Sequence, residues 1–277
     1  ACHYKEAGEP GRAFDAWLMA AEFARMRFSK SDRYYAYEKA FDLIDKLPQE
    51  LLIENVDNLV TSWGDYAFDL SDINTCLKVY TLCLEIGERA QNPILLADGW
   101  VGMARVHEMR FEIDEGISAA NRAQFYCDRT EHLALKLETL TRLAILYNFK
   151  NEIQKSIVCC ERAMGYQPLV KTPREMDALV TIQVHLGLMY LISGWPKKTV
   201  AVGEEALNLS LLLKRRSAKV QAAVVLAAGQ YFVGEYQKSM QNALAVHQLA
   251  ERLNYRWWFS FLEVIIARDY FALGDID

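Results

Sequence analysis

Apolar and polar positions along this chain fall into blocks that predict helices at roughly 1–7, 10–28, 31–47, 49–69, 72–90, 93–110, 112–128, 131–149, 151–166, 173–192, 196–214, 216–232, 235–253 and 256–273. Few β-branched runs interrupt them, and Pro is scarce, so the expected class is all-α. The turns between helices repeat. Gly8, Ser71, Phe111, Asn151, Gly194, Gly234 and Gly274 each stand at a predicted helix–helix turn, and from Ser71 onward they are spaced by about 40 residues. Seven residues before each lies Ala or Gly: Ala1, Gly64, Ala104, Ala144, Gly187, Ala227 and Ala267. Ala and Gly together make up about one residue in six, so seven coincidences out of seven point to a structural repeat.

Two more positions stay small in the same register. Five residues after the turn come Ala13, Cys76, Gly116, Ser156, Thr199 and Ser239. Twelve after come Ala20, Cys83, Ala123, Ala163, Ala206 and, less small, Val246. Antiparallel helices approach closely only where the side chains between them are small. Four residues before the turn an aromatic recurs at Tyr4, Tyr147 and Tyr270, with His107 in the same place, to fill the wider space beside the crossing. The pattern predicts a right-handed α-solenoid of antiparallel helix pairs, a single domain over 1–277, irregular over 1–71 and regular over 72–277. The stretch from Gly8 to Ser71 is too long for one repeat; Phe28 is an additional turn candidate within it. Both ends fall in mid-pattern, which suggests a piece of a longer protein.

Several starts carry capping chemistry. Thr172-Pro173-Arg174-Glu175 forms a capping box, Asn92-Pro93 follows the same logic, and Ser71-Asp72 and Thr130-Glu131 offer a capping oxygen with a first-turn acid.

Two segments resemble the tetratricopeptide (TPR) signature: Gly194-Trp195-Pro196-Lys197-Lys198-Thr199 with Gly187, Tyr190 and Ala206, and Gly234-Glu235-Tyr236-Gln237-Lys238-Ser239. The period is longer than the usual TPR unit of about 34 residues. His3 to Glu9, Ala20-Ala21-Glu22, Tyr37 to Ala40 and Leu47-Pro48 resemble the segment that follows the ATPase module in STAND-type regulators, among them nucleotide cyclases and maltose-regulator-like transcription activators. What the resemblance implies is a sensor or interaction arm in the cytoplasm, with nucleotide and output chemistry elsewhere in the polypeptide.

Net charge is −5 with both signs interspersed, so no direct nucleic-acid binding is expected; Lys214, Arg215, Arg216 and Lys219 form the one basic cluster. No apolar run approaches the 18 or more residues of a membrane span. The six Cys show no C-x-x-C pair and no zinc spacing, and read as reduced thiols. There is no P-loop, H-E-x-x-H or G-x-S-x-G motif, and the five His are scattered. No cofactor, metal site or enzymatic activity is expected.

In TPR arrays the first helix of each pair lines the groove. Positions 13, 10, 6 and 3 before each turn then face inward. The polar ones are Asn58, Thr61, Asp65, Asp98, Arg105, Glu108, Glu138, Thr141, Asn148, Thr181, Gln221 and Arg268. Later repeats turn apolar through Val184, Leu188, Leu191, Val224, Phe261, Val264 and Phe271. The expectation is a protein or peptide partner, or other domains of the same chain, with a basic end over Asp65, Asp98 and Glu108 and an apolar end over later units. The alternative is a small-ligand sensor with its effector inside the superhelix. Trp257-Trp258-Phe259 with Phe261 offers a further surface, through which two copies could pair.

Overall fold

The computed structural model describes the backbone of residues 2–27, 29–213, 215–253 and 256–274, and not the side chains of Cys2, Lys5, Gln49, Glu50, Glu54, Asp69, Arg256 and Trp257. Ala1, Phe28 and Lys214 therefore lie outside the described residues. The helices are α1 (Cys2–Glu6), α2 (Pro10–Met26), α3 (Lys30–Phe41), α4 (Gln49–Leu59), α5 (Asp65–Asp69), α6 (Ile73–Ala90), α7 (Pro93–Met109), α8 (Ile113–Cys127), α9 (Leu133–Phe149), α10 (Ile153–Met164), α11 (Pro173–Ile192), α12 (Pro196–Leu213), α13 (Arg216–Phe232), α14 (Tyr236–Arg252) and α15 (Arg256–Leu273). Short 3-10 turns lie at Ile44–Lys46 and Gln167–Leu169, and a π-helical turn at Val60–Gly64 joins α4 to α5. Packing divides the chain into two compact units, Ala1–Glu131 and His132–Asp277.

All seven turn residues read from the sequence have positive φ: Gly8 73°, Ser71 56°, Phe111 58°, Asn151 61°, Gly194 77°, Gly234 85° and Gly274 81°. A single left-handed residue lets the chain fold back on a finished helix and satisfy its last carbonyls. The residue after the turn donates its N–H five residues back: Asp72 to Ala67, Glu112 to His107, Glu152 to Tyr147, Trp195 to Tyr190 and Glu235 to Gln230, all at 2.8–2.9 Å. This is the Schellman closure, repeated.

In the second unit α9, α11, α13 and α15 pack side by side as a first layer, and α10, α12 and α14 cover the gaps between them. The small positions sit at the crossings. Ala144, Ala227, Ser156, Thr199, Ser239, Ala163 and Ala206 are fully buried. Three of them also form hydrogen bonds from the covering layer to the first. Ser156 Oγ donates to the Ala144 carbonyl (2.7 Å), Thr199 Oγ1 to Gly187 (3.1 Å) and Ser239 Oγ to Ala227 (2.9 Å). Each bond joins the position five after a turn to the one seven before it.

The first unit uses larger residues. Trp63, in the π turn, is 1% exposed and lies 6.0, 6.2 and 5.5 Å from the rings of Tyr34, Tyr37 and Phe41. Tyr80 of α6 lies over two glycines. A methyl group on Gly102 would come within 2.1 Å of the Tyr80 ring, and one on Gly64 within 2.9 Å.

Three expectations need correction. The cap of α6 is Asp72, whose carboxylate accepts from Thr75 N at 3.1 Å, and not Ser71, which is taken up by the turn. Thr130 closes the preceding helix by donating to the Cys127 carbonyl (3.1 Å), and His132 caps α9 in its place. Third, α11 does have the length and mean hydropathy (1.2) of a membrane span, but 61% of that stretch is buried, where the helix packs against α9, α10, α12 and α13. The capping box at Thr172 and Glu175 and the Asn92 cap form as read.

Candidate partner-binding face

The repeat register brings Asp65 and Arg105 together. Both stand six residues before a turn, 40 residues apart, so they occupy equivalent places on neighbouring first-layer helices. Arg105 Nη1 donates to Asp65 Oδ1 in a close ion pair. The same nitrogen lies 3.5 Å from the Tyr80 hydroxyl, and the guanidinium sits 5.3 Å from the centre of the Phe68 ring. The Arg105 side chain is only 15% exposed while that of Asp65 is 56% exposed. The cation is thus held from below by aromatic groups, with a carboxylate open at the surface. Asn58 is exposed nearby along the same layer, Thr61 donates its hydroxyl to the Asp57 carbonyl (3.0 Å), and Glu108 is half-buried on α7.

Asp98 is 5% exposed and belongs to the interior of the first unit. With Asp57 it raises the thiol pKa of buried Cys83, though desolvation is the largest cause. Asp57 was not among the residues picked from the sequence, because it lies one position outside the chosen register. Tyr80 was also missed; the two glycines facing it were its only signal.

In the second unit the polar candidates Glu138, Thr141 and Thr181 bond to residues outside the set. Glu138 is 17% exposed at its side chain and accepts from Arg174 Nε (3.0 Å) and Nη2 (3.4 Å). Thr141 is buried and donates to the Leu137 carbonyl at 2.8 Å, and Thr181 donates to Asp177 at 3.0 Å. Asn148 and Gln221 are half-buried. Arg268 is exposed, 5.9 Å over Tyr231. The apolar positions divide. Val184 and Val224 are buried among first-layer helices, Leu188, Leu191 and Phe261 are half-buried, and Val264 and Phe271 are exposed on α15. Positions ten before a turn point sideways at the next first-layer helix, which explains why Val184 and Val224 are not surface residues. Trp258 and Phe259 are half-buried, and the Trp257 side chain lies outside the described residues.

The remaining chemistry is structural. Burial pushes the Cys76 thiol up to about 12 and Cys159 to about 11, away from thiolate reactivity. His107 Nδ1 meets Glu112 at 2.7 Å, as a packed histidine in the aromatic slot should. His185 is buried with Nε2 at 3.1 Å from Ser156 Oγ, and burial lowers its pKa to about 4. Of the basic cluster, Arg215 pairs closely with Asp177. Among the described residues no group of three or more His, Cys, Asp or Glu is placed to hold a metal.

The helix pairs, their small crossings and their repeated left-handed turns define an all-α helical repeat of the TPR-like, solenoid-forming class. Solved structures bear this out. The chain is similar to the apo form of RapI, at 13% identity over 96% of this chain and 72% of that one, with a TM-score of 0.61. It is also similar to a Signal Transduction ATPase with Numerous Domains (STAND) from Pyrococcus horikoshii that carries a tetratricopeptide repeat sensor, at 14% identity over 94% of this chain and 39% of that one (TM-score 0.65). BtubC from P. vanneervenii is similar at 15% identity over 88% and 92% of the two chains, with a TM-score of 0.56. At these identities the likeness is one of fold. No protein-family model matches the chain, and no curated protein does.

Proposed function

We propose that this chain is a non-catalytic protein- or peptide-binding region, the scaffold or regulatory arm of a multidomain signalling or transcription-regulating protein. The observation that carries this reading is the Asp65–Arg105 pair: a cation seated among aromatic groups, beside an open carboxylate, on a first-layer face shared with Asn58 and Glu108. Such a face is acidic at its surface and prearranged below it, which suits the basic segment of a partner. The repeat runs from Ser71 to Gly274 with a single longer step, so we take the whole chain as one repeat region in sequence, with residues 1–71 departing from the period.

The test is fluorescence anisotropy with a labelled peptide that is basic at one end. Asp65→Asn combined with Glu108→Gln is expected to weaken binding about tenfold and to flatten its salt dependence. Unchanged affinity would sink the acidic-face reading. Asp98 is left alone in this test, because a substitution at a buried position reports on folding. A second reading, a sensor for a small effector, has the TPR sensor of the similar STAND protein in its favour; a thermal shift produced by one small molecule would select it.

A further inference from the structure

A groove of about 750 Å³ opens in the first unit between α6 and α8, with α7 beneath it. Its Trp100 precedes Arg105 by five residues on α7, roughly 140° around the helix from the side that pairs with Asp65. The groove is a place where the repeat departs from itself. Eleven residues before the turn, where Trp100 stands, the other repeats have Val60, Leu140, Gln183, Ala223 and Glu263. Fourteen after it, where Phe125 stands, they have Glu85, Gly165, Asn208 and Gln248. Packing of the array therefore does not call for an aromatic at either position. Phe125 is 52% exposed, a poor bargain for stability alone.

Both rings already carry a guanidinium. Arg122 lies 4.5 Å from the Trp100 ring centre and Arg129 3.4 Å from that of Phe125. Arg129 is fixed further by donating to the Phe125 carbonyl, whereas Arg122 is an exposed side chain on a flexible stem. Stacking of that kind at an exposed site is weak, about two- to fivefold as an equilibrium constant. Glu88 and Asp114 line the same groove and give it the opposite sign to its present occupant.

We propose that this groove is a second binding site, for an arginine side chain of a partner peptide, which takes the place of Arg122 over Trp100 while Glu88 and Asp114 receive its charge. Arginine is specified over lysine because a planar guanidinium stacks on indole and still presents its N–H edge to carboxylates. Arg122 is then an internal stand-in, moved aside on binding.

The experiment titrates the whole chain with an acetylated peptide containing one arginine, and with its lysine and glutamate counterparts, following the Trp100 indole N–H resonance assigned with Trp100→Phe. The arginine peptide is expected to shift that resonance most. Arg122→Ala clears the ring and should tighten binding about threefold. Phe125→Ser should weaken it, and Glu88→Gln should weaken it and reduce its salt dependence. An indole resonance that does not move would overturn the proposal. So would Arg122→Ala weakening the complex or a stronger response to the glutamate peptide, since either would make Arg122 the anchor for an anion. Asp65→Asn, at an exposed carboxylate that belongs to the other face and does not line this groove, tells the two sites apart: a groove titration that persists supports a second site, and its loss together with the other face would mean that a single site had been divided in two.

Discussion

The two units bring helices together by different means. In the second, the crossings are lined with Ala, Gly, Ser and Thr, and three hydroxyls donate across them to main-chain carbonyls. In the first, the positions of those hydroxyls hold Ala13, Cys76 and Gly116, and contact is made by Tyr80 lying in the space left by Gly64 and Gly102 and by rings gathered around Trp63. What the units share is the smallness of one partner at each crossing. The hydrogen bond is an addition, and the bulk that replaces it can come from either helix. Added volume is therefore expected to tell most at Gly102 in the first unit, where the approach is tightest, while the second unit, whose Gly187 and Gly203 are also closely approached, is in addition sensitive to lost hydroxyls and to charge.

The largest expected effect tests the volume half of that contrast. Gly102→Ala should destabilise the protein by about 3 kcal/mol. The gain in helix propensity, about 1 kcal/mol, is smaller, because Tyr80 is 1% exposed and cannot swing clear. In the Tyr80→Leu background the same change should cost much less. Urea denaturation of the four variants measures the coupling, and additive losses would break the account of Tyr80.

Next comes charge. His185 has its pKa lowered from the ordinary 6.5 to about 4, chiefly by desolvation, with Arg142 opposing protonation as well. The unfolded chain then binds the proton more readily than the folded one. Stability contributed by the neutral ring is fully present above about pH 6.5 and is lost as the pH falls toward 4, a total of about 3 kcal/mol. His185→Gln should remove that part of the pH slope in urea unfolding monitored in the second unit. A slope unchanged by the substitution would show that His185 is not the group responsible.

The smallest effect is that of one bond. Thr199→Val should cost about 1 kcal/mol with shape preserved, since the Gly187 carbonyl keeps its helical partner. Thermal unfolding checks it; no change would mean that smallness alone holds that crossing.

Much of this architecture could be read in the chain because it depends on local rules. A residue forced to positive φ, a small residue at fixed distance on either side, and a capping box are all written within a few positions of where they act. Asp65 and Arg105 meet for the same reason, since they share a place in the register. What could not be read depends on how neighbouring helices lean. Asp98, Val184 and Val224 fit the inward-facing count but are buried in the packing between helices. The π turn at Val60–Gly64 shifts the register by a fraction of a turn, and no residue announces it. Thr130 was the cap expected for α9, but its hydroxyl closes the preceding helix, and His132 caps α9 instead.

The step of 43 residues between Asn151 and Gly194 has its own lesson. The turn inside each hairpin and the offsets of its small residues are unchanged there. The additional length falls in the connection from α10 to α11, where the 3-10 turn Gln167–Leu169 takes it up. Each hairpin thus behaves as a cassette with its own latch, and the joints between cassettes are where the chain tolerates growth. An array built this way can lengthen by duplication or accept an insertion at a joint without any cassette having to relearn how to close.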